Sequence, residues 1–139
     1  MSEAQNTKVV QDAYAAFGRG DIPALLGLMA DGIHWRPVIG TASHVPFSGE
    51  RTGKPGVAEF FKRVAETEDF QQFEPREFVA QGDTVVAIGH YRATAKATGR
   101  TFDSDFVMVF TLRDGKVTHF QEFCDSTAIN SAYAVGAAV

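Results

Sequence analysis

Residues 110–125 read "FTLRDGKVTHFQEFCD", and how this stretch turns back on itself decides the architecture. Asp114 and Gly115 sit between two runs rich in aromatic and β-branched residues, the signature of a tight antiparallel hairpin. Side chains along a strand point alternately to opposite faces. Past the turn, one face therefore carries Thr118, Phe120, Glu122 and Cys124, and the other carries Val117, His119, Gln121 and Phe123. The first set has the character of an interior face, yet it contains a carboxylate.

The hairpin closes a series of four predicted strands, at residues 71–80, 84–98, 100–113 and 116–125, separated by the turn signals "GD", "TG" and "DG". In the third of these, Phe102, Phe106, Met108, Phe110 and Leu112 share a face with Ser104, while Asp103 and Asp105 lie opposite, so the even positions point inward. In the second, His90, Arg92, Thr94 and Lys96 form the outer face, leaving Gly89, Tyr91, Ala93 and Ala95 inside. Such small inward residues either let a helix pack closely or leave space for a ligand. An inward Glu122 would be desolvated, which raises a carboxyl pKa and suits it to proton transfer near neutrality. The alternatives are a structural Glu held by a Tyr or Arg, or a strand-end Glu reaching solvent. Phe123 on the outer face suits coverage by a second subunit.

Upstream, Val10, Ala13, Tyr14 and Phe17 recur at intervals of three and four and predict a helix over residues 7–17, capped by Asn6 or Thr7. Asp21 caps a second, short helix with Pro23 in its first turn, running through Leu25, Leu26, Leu28 and Met29. "IHWRPV" is a short strand, followed by a loop, residues 39–52, rich in Gly, Ser, Thr and Pro. Pro55 opens a third helix presenting Val57, Phe60, Phe61 and Val64, and everything beyond it reads as strand. Three helices followed by a curved meander make a single α+β domain spanning residues 1–139.

The 139 residues, 45% of them apolar, are enough for one core. The net charge of −4, without a run of Lys or Arg, argues against nucleic acid as a partner. No apolar stretch approaches the roughly 20 residues that span a bilayer, and the first residues lack the regions of a signal peptide. The expected setting is the cytoplasm, with no membrane partner. Cys124, the single cysteine, is expected to pack as a small hydrophobe. The four histidines lack metal-site spacing, so no metal and no cofactor is expected.

The order "VVQDAYAAFGRGDIPALLGLMADGIHWRP", "RTGKPGVAEFF" and "VFTLRDGKVTHFQEFCDSTAI" resembles the SnoaL-like branch of the NTF2-like superfamily, which includes polyketide cyclases, ketosteroid isomerases and limonene epoxide hydrolases. The resemblance implies an NTF2-like, cystatin-like cone: three N-terminal helices packed on a strongly curved antiparallel sheet around an apolar cavity, commonly in a homodimer formed here through the outer sheet face. The ketosteroid isomerase site does not carry over, because its three acidic and tyrosyl positions fall on Ala13, Arg36 and Met108. The epoxide hydrolase motif places Glu122 on a catalytic carboxylate, but the Arg and second acid of that family fall on Tyr91 and Ala93. A polyketide cyclase needs one carboxylate, and Glu122 or Asp125 can provide it.

The resemblance therefore implies acid/base chemistry on a small hydrophobic, oxygenated molecule, with Glu122 or Asp125 moving the proton and Tyr91 donating a hydrogen bond. Tyr14, His34, Trp35, Arg36, Phe60, Ala93, Phe106, Met108, Phe120 and Cys124 are the expected cavity residues. Which of His34, Trp35 and Arg36 faces inward depends on whether their strand is bulged. The alternatives are a non-catalytic binder of a lipid-like or aromatic ligand, and a dimeric interaction domain. The turn after the last strand offers Asp125 a second role, as a cap for the C-terminal segment.

Overall fold

A computed structural model describes residues 1–134. Helix α1 spans Glu3–Gly18, and it begins earlier than the apolar stripe suggests because Ser2 and Gln5 form a reciprocal capping box. Asn6, expected as the cap, instead points into the core on the face of Val10, Ala13 and Ala16. Asp21 caps α2 (Ile22–Gly27) by accepting from the Ala24 N–H. That helix is shorter than predicted, since Met29 already belongs to strand β1 (Met29–Arg36). The loop to residue 52 ends in a two-residue strand, β2 (Arg51–Thr52), which pairs with β1. Helix α3 (Gly53–Thr67) buries Val57, Phe60 and Val64; Pro55 lies in its first turn, where a missing N–H leaves no bond unmade.

Four long strands follow: β3 (Glu68–Gln81), β4 (Thr84–Ala95), β5 (Thr101–Arg113) and β6 (Lys116–Phe123). They form one six-stranded sheet in the order β2-β1-β6-β5-β4-β3. The sheet is mixed rather than wholly antiparallel, because β1 lies parallel to β6 at its centre. Bulges interrupt β3 at two places and β1 and β6 at one each, and such extra residues bend a strand and increase its twist. The helices pack inside the resulting curve.

The inward faces of β4 and β5 follow the predicted alternation from Val85 to Ala95 and from Phe102 to Leu112. On β6 the alternation is broken near its start, where Leu112 faces Val117 but Thr111 faces His119. Val117 is thus buried, not outward, and the bulge resets the phase so that Phe120 and Glu122 also face in. Gly89 does not leave open space: a Cβ there would lie 2.2 Å from the Glu74 carbonyl oxygen and 2.5 Å from the Phe106 ring. The chain after β6 forms a fourth helix, α4 (Ser126–Tyr133), which the strand-only expectation missed. No helix among the described residues is long and apolar enough to cross a membrane.

Candidate active site

The concave side of the sheet, α1 to α3, α4 and the loop after β1 enclose a hollow of about 90 Å³ with almost wholly apolar walls. Of the expected residues, Tyr14, Trp35, Phe60, Tyr91, Met108, Phe120 and Glu122 border it. Ala93 and Phe106 are buried behind the wall, with Phe106 supporting Tyr91 at 5.3 Å between ring centroids. His34 and Arg36 alternate outward from Trp35: His34 stacks on His119 at 5.0 Å, and Arg36 pairs with Glu50 at 2.9 Å. Trp35 lies flat on Phe120, 3.8 Å between centroids, because β1 and β6 are adjacent and in register there.

Glu122 is buried, and its Oε2 accepts a 2.7 Å hydrogen bond from the Tyr91 hydroxyl on β4. Its other oxygen takes no hydrogen bond from the described residues. Burial pushes the carboxyl up to about 7, against the partial compensation of the Tyr91 bond. The same burial, followed by the Glu122 charge, holds the Tyr14 and Tyr91 phenols above their ordinary value. Tyr14 donates instead to the Met108 sulfur at 2.9 Å. Cys124 is half-buried with its thiol pushed up to about 12, chiefly by burial, so it is no thiolate nucleophile.

Asp125 is exposed, does not border the hollow, and caps α4 through the Ala128 N–H at 3.1 Å. The capping role, not the proton-carrying one, is the role its geometry serves.

A second carboxylate borders the same hollow. Glu68, the first residue of β3, is buried, and its Oε1 lies 3.0 Å from the Tyr133 hydroxyl of α4. Burial pushes it up to about 8, opposed by the Tyr133 bond and reinforced by the charge of Glu122. The Phe102 ring sits edge-on to Tyr91 at 6.2 Å and tilted to Tyr133 at 6.3 Å, so the two Tyr–Glu pairs share a wall. Phe47 reaches in from the loop and packs edge-on against Phe60 and Tyr133. Arg51 fastens that loop by donating to the Phe47 and Ser48 carbonyls at 3.0 and 2.7 Å. The Trp35 indole N–H is buried with no acceptor within reach. An orphaned buried donor is costly and calls for a partner. Among the described residues, no three His, Cys, Asp or Glu side chains gather as metal ligands would.

Residues 10–120 match the SnoaL-like domain, and the chain belongs to that family. An NTF2-like protein from Burkholderia xenovorans LB400 is 35% identical, with 96% of this chain and 99% of that one covered and a TM-score of 0.87. An NTF2-like protein from Burkholderia thailandensis E264 is 27% identical over 96% and 99% of the two chains, at a TM-score of 0.83. TerC, co-crystallised with polyporic acid, is 28% identical over 93% and 98%, at a TM-score of 0.76. No curated protein matches the chain significantly.

Proposed function

We propose that this protein is a cofactor-independent general acid/base enzyme acting on a compact, apolar molecule that carries a carbonyl or similar oxygen. The observation that carries the reading is Glu122: a buried carboxyl on the wall of an apolar hollow, held by Tyr91 through one oxygen with the other unengaged. A carboxyl raised to about 7 is both a competent base and a competent acid at neutral pH. Trp35 adds a donor without a partner, which suits an oxygen on the bound molecule. A hollow of about 90 Å³ is well below the roughly 300–1,000 Å³ of a typical ligand site. The substrate is therefore of single-ring size, or Phe47 and α4 yield to admit more. TerC's co-crystallisation with polyporic acid supports a small-molecule role for this fold at comparable identity.

The test is deuterium incorporation into cyclohexanone and β-tetralone in D2O, followed by NMR. Wild type accelerates exchange at the carbon beside the carbonyl, and Glu122→Gln loses it while keeping its fold. If wild type binds these ketones but exchanges nothing, the protein is a binder of such molecules rather than an enzyme.

We propose further that a second copy of the chain covers the outer sheet face. Ile88, Val107 and Phe123 lie side by side across β4, β5 and β6 on that face, with Val107 37% and Phe123 43% exposed. Beside them His90 opposes Asp105 and Arg92 opposes Asp103, so both signs of charge flank the patch, which allows each copy to meet its opposites in a two-fold contact.

A further inference from the structure

The acid/base reading leaves one buried group on the wall without a role. Glu68 occupies the junction of α3 and β3, and no ion pair there neutralises it among the described residues. The groups facing it are Tyr133 from α4 and, across the hollow, Glu122 from β6; those facing Glu122 are Tyr91 from β4, Tyr14 from α1, Cys124 just past the end of β6 and Glu68 itself.

Glu68 has one hydrogen-bonding partner among the described residues, the Tyr133 hydroxyl. Tyr133 has one hydroxyl proton and two acceptors in range, the Thr67 carbonyl at 3.3 Å and Glu68 Oε1 at 3.0 Å. The Thr67 carbonyl already accepts from the Lys96 N–H at 2.9 Å, which leaves the Tyr133 hydroxyl free to donate to an ionised Glu68 or to accept from a neutral one. Two carboxyls bordering one small apolar hollow resist ionising together, because each charge raises the cost of the other.

We propose that Glu68, positioned by Tyr133, is the acid that works against Glu122 as the base, so that the hollow holds a two-carboxyl proton-transfer site for an enolisable carbonyl compound. This rests on the reading of Glu122 given above. In the forward step the Glu122 carboxylate takes the proton from the carbon beside the carbonyl. The electron pair of that C–H bond forms the carbon–carbon double bond, and the carbonyl π pair moves onto oxygen. That oxygen takes the proton of Glu68, leaving an enol, a neutral Glu122 and an ionised Glu68. Once the Glu122 proton has exchanged with D2O, reversal restores all three and leaves deuterium on carbon.

The experiment is the pH profile of exchange into cyclohexanone and β-tetralone for wild type, Glu68→Gln, Tyr133→Phe and Glu122→Gln, with infrared spectra of the ligand-free proteins. Wild type shows a bell, rising as Glu122 ionises and falling as Glu68 does. Glu68→Gln lowers the maximum by about a hundredfold or more and abolishes the falling limb while keeping the rising one. Tyr133→Phe removes the donor to the ionised Glu68 and moves the falling limb to higher pH. In the infrared, Glu122→Gln keeps a carboxylic acid carbonyl band at pH 7, and the band is missing when Glu68→Gln is combined with Glu122→Gln. Undiminished exchange in Glu68→Gln with its falling limb intact overturns the role of Glu68 alone, as does absence of the acid band from Glu122→Gln. No exchange by wild type, with the band present, defeats the enzymatic reading and this one with it.

Discussion

Glu68 and Glu122 are both costly to ionise where they stand, because an apolar wall offers a charged carboxylate nothing in place of water. The folded protein therefore holds their protons more tightly than the unfolded chain does. Their contribution to stability is then fully present below the ordinary carboxyl value near 4.5 and is lost as pH rises toward 7 and 8. Each unit of displacement corresponds to about 1.4 kcal/mol, so ionising Glu122 removes on the order of 3 kcal/mol. Glu122→Gln, neutral at every pH, is expected to match wild type at pH 5 and to exceed it at pH 9 by that order in urea unfolding. Parallel stability curves for the two proteins would show that Glu122 titrates normally. Alternation along residues 116–125 was enough to find Glu122. Glu68 was not found, because "ETED" at 66–69 reads as a solvated turn and the strand was expected to begin three residues later. Stepping back by two from Phe70 is the signal that places Glu68 inward.

At the level of elements, the predicted strands 3 to 6 and the first three helices correspond to real ones, and the errors fall where local and tertiary forces compete. Only the start of β6 escapes alternation, where the bulge beside Val117 adds a residue that the pairing with Leu112 reveals. Helix α2 stops early because β1 claims Met29 for the sheet. The fourth helix is too short for a periodic stripe, though Asp125 followed by "STA" is a legible N-cap. Separating that cap from a chemical role needs two substitutions. Asp125→Ala is expected to cost about 1 kcal/mol in thermal unfolding. Asp125→Asn, which keeps the capping oxygen and removes the acid, should hold both stability and the exchange rate near wild type. A collapse of turnover in the Asn variant would return Asp125 to the mechanism.

For the molecule as a whole, the two faces of one sheet differ in character, and strand β6 contributes a residue to each. Its inward Glu122 borders the hollow, while its neighbour Phe123 stands 43% exposed on the outer face beside Val107. A large aromatic beside an exposed valine is an expensive surface to leave in water, since each apolar Å² covered contributes about 25 cal/mol. A second copy placed over the patch relieves that cost. His90 and Arg92, facing Asp105 and Asp103 across β4 and β5, can then align with their opposites in the partner. Sedimentation at micromolar concentration is expected to give wild type twice the mass of the chain, and Phe123→Glu, which plants a like charge beside its own symmetry mate, the mass of one chain. Because Phe123 adjoins Glu122 on the same strand, dissociation should also loosen the seat of the carboxylate. The monomeric variant is therefore expected to melt at lower temperature and to exchange more slowly, with its rising pH limb displaced. A monomeric wild type would remove the partner from this account and leave the acid/base pair to be judged within a single chain.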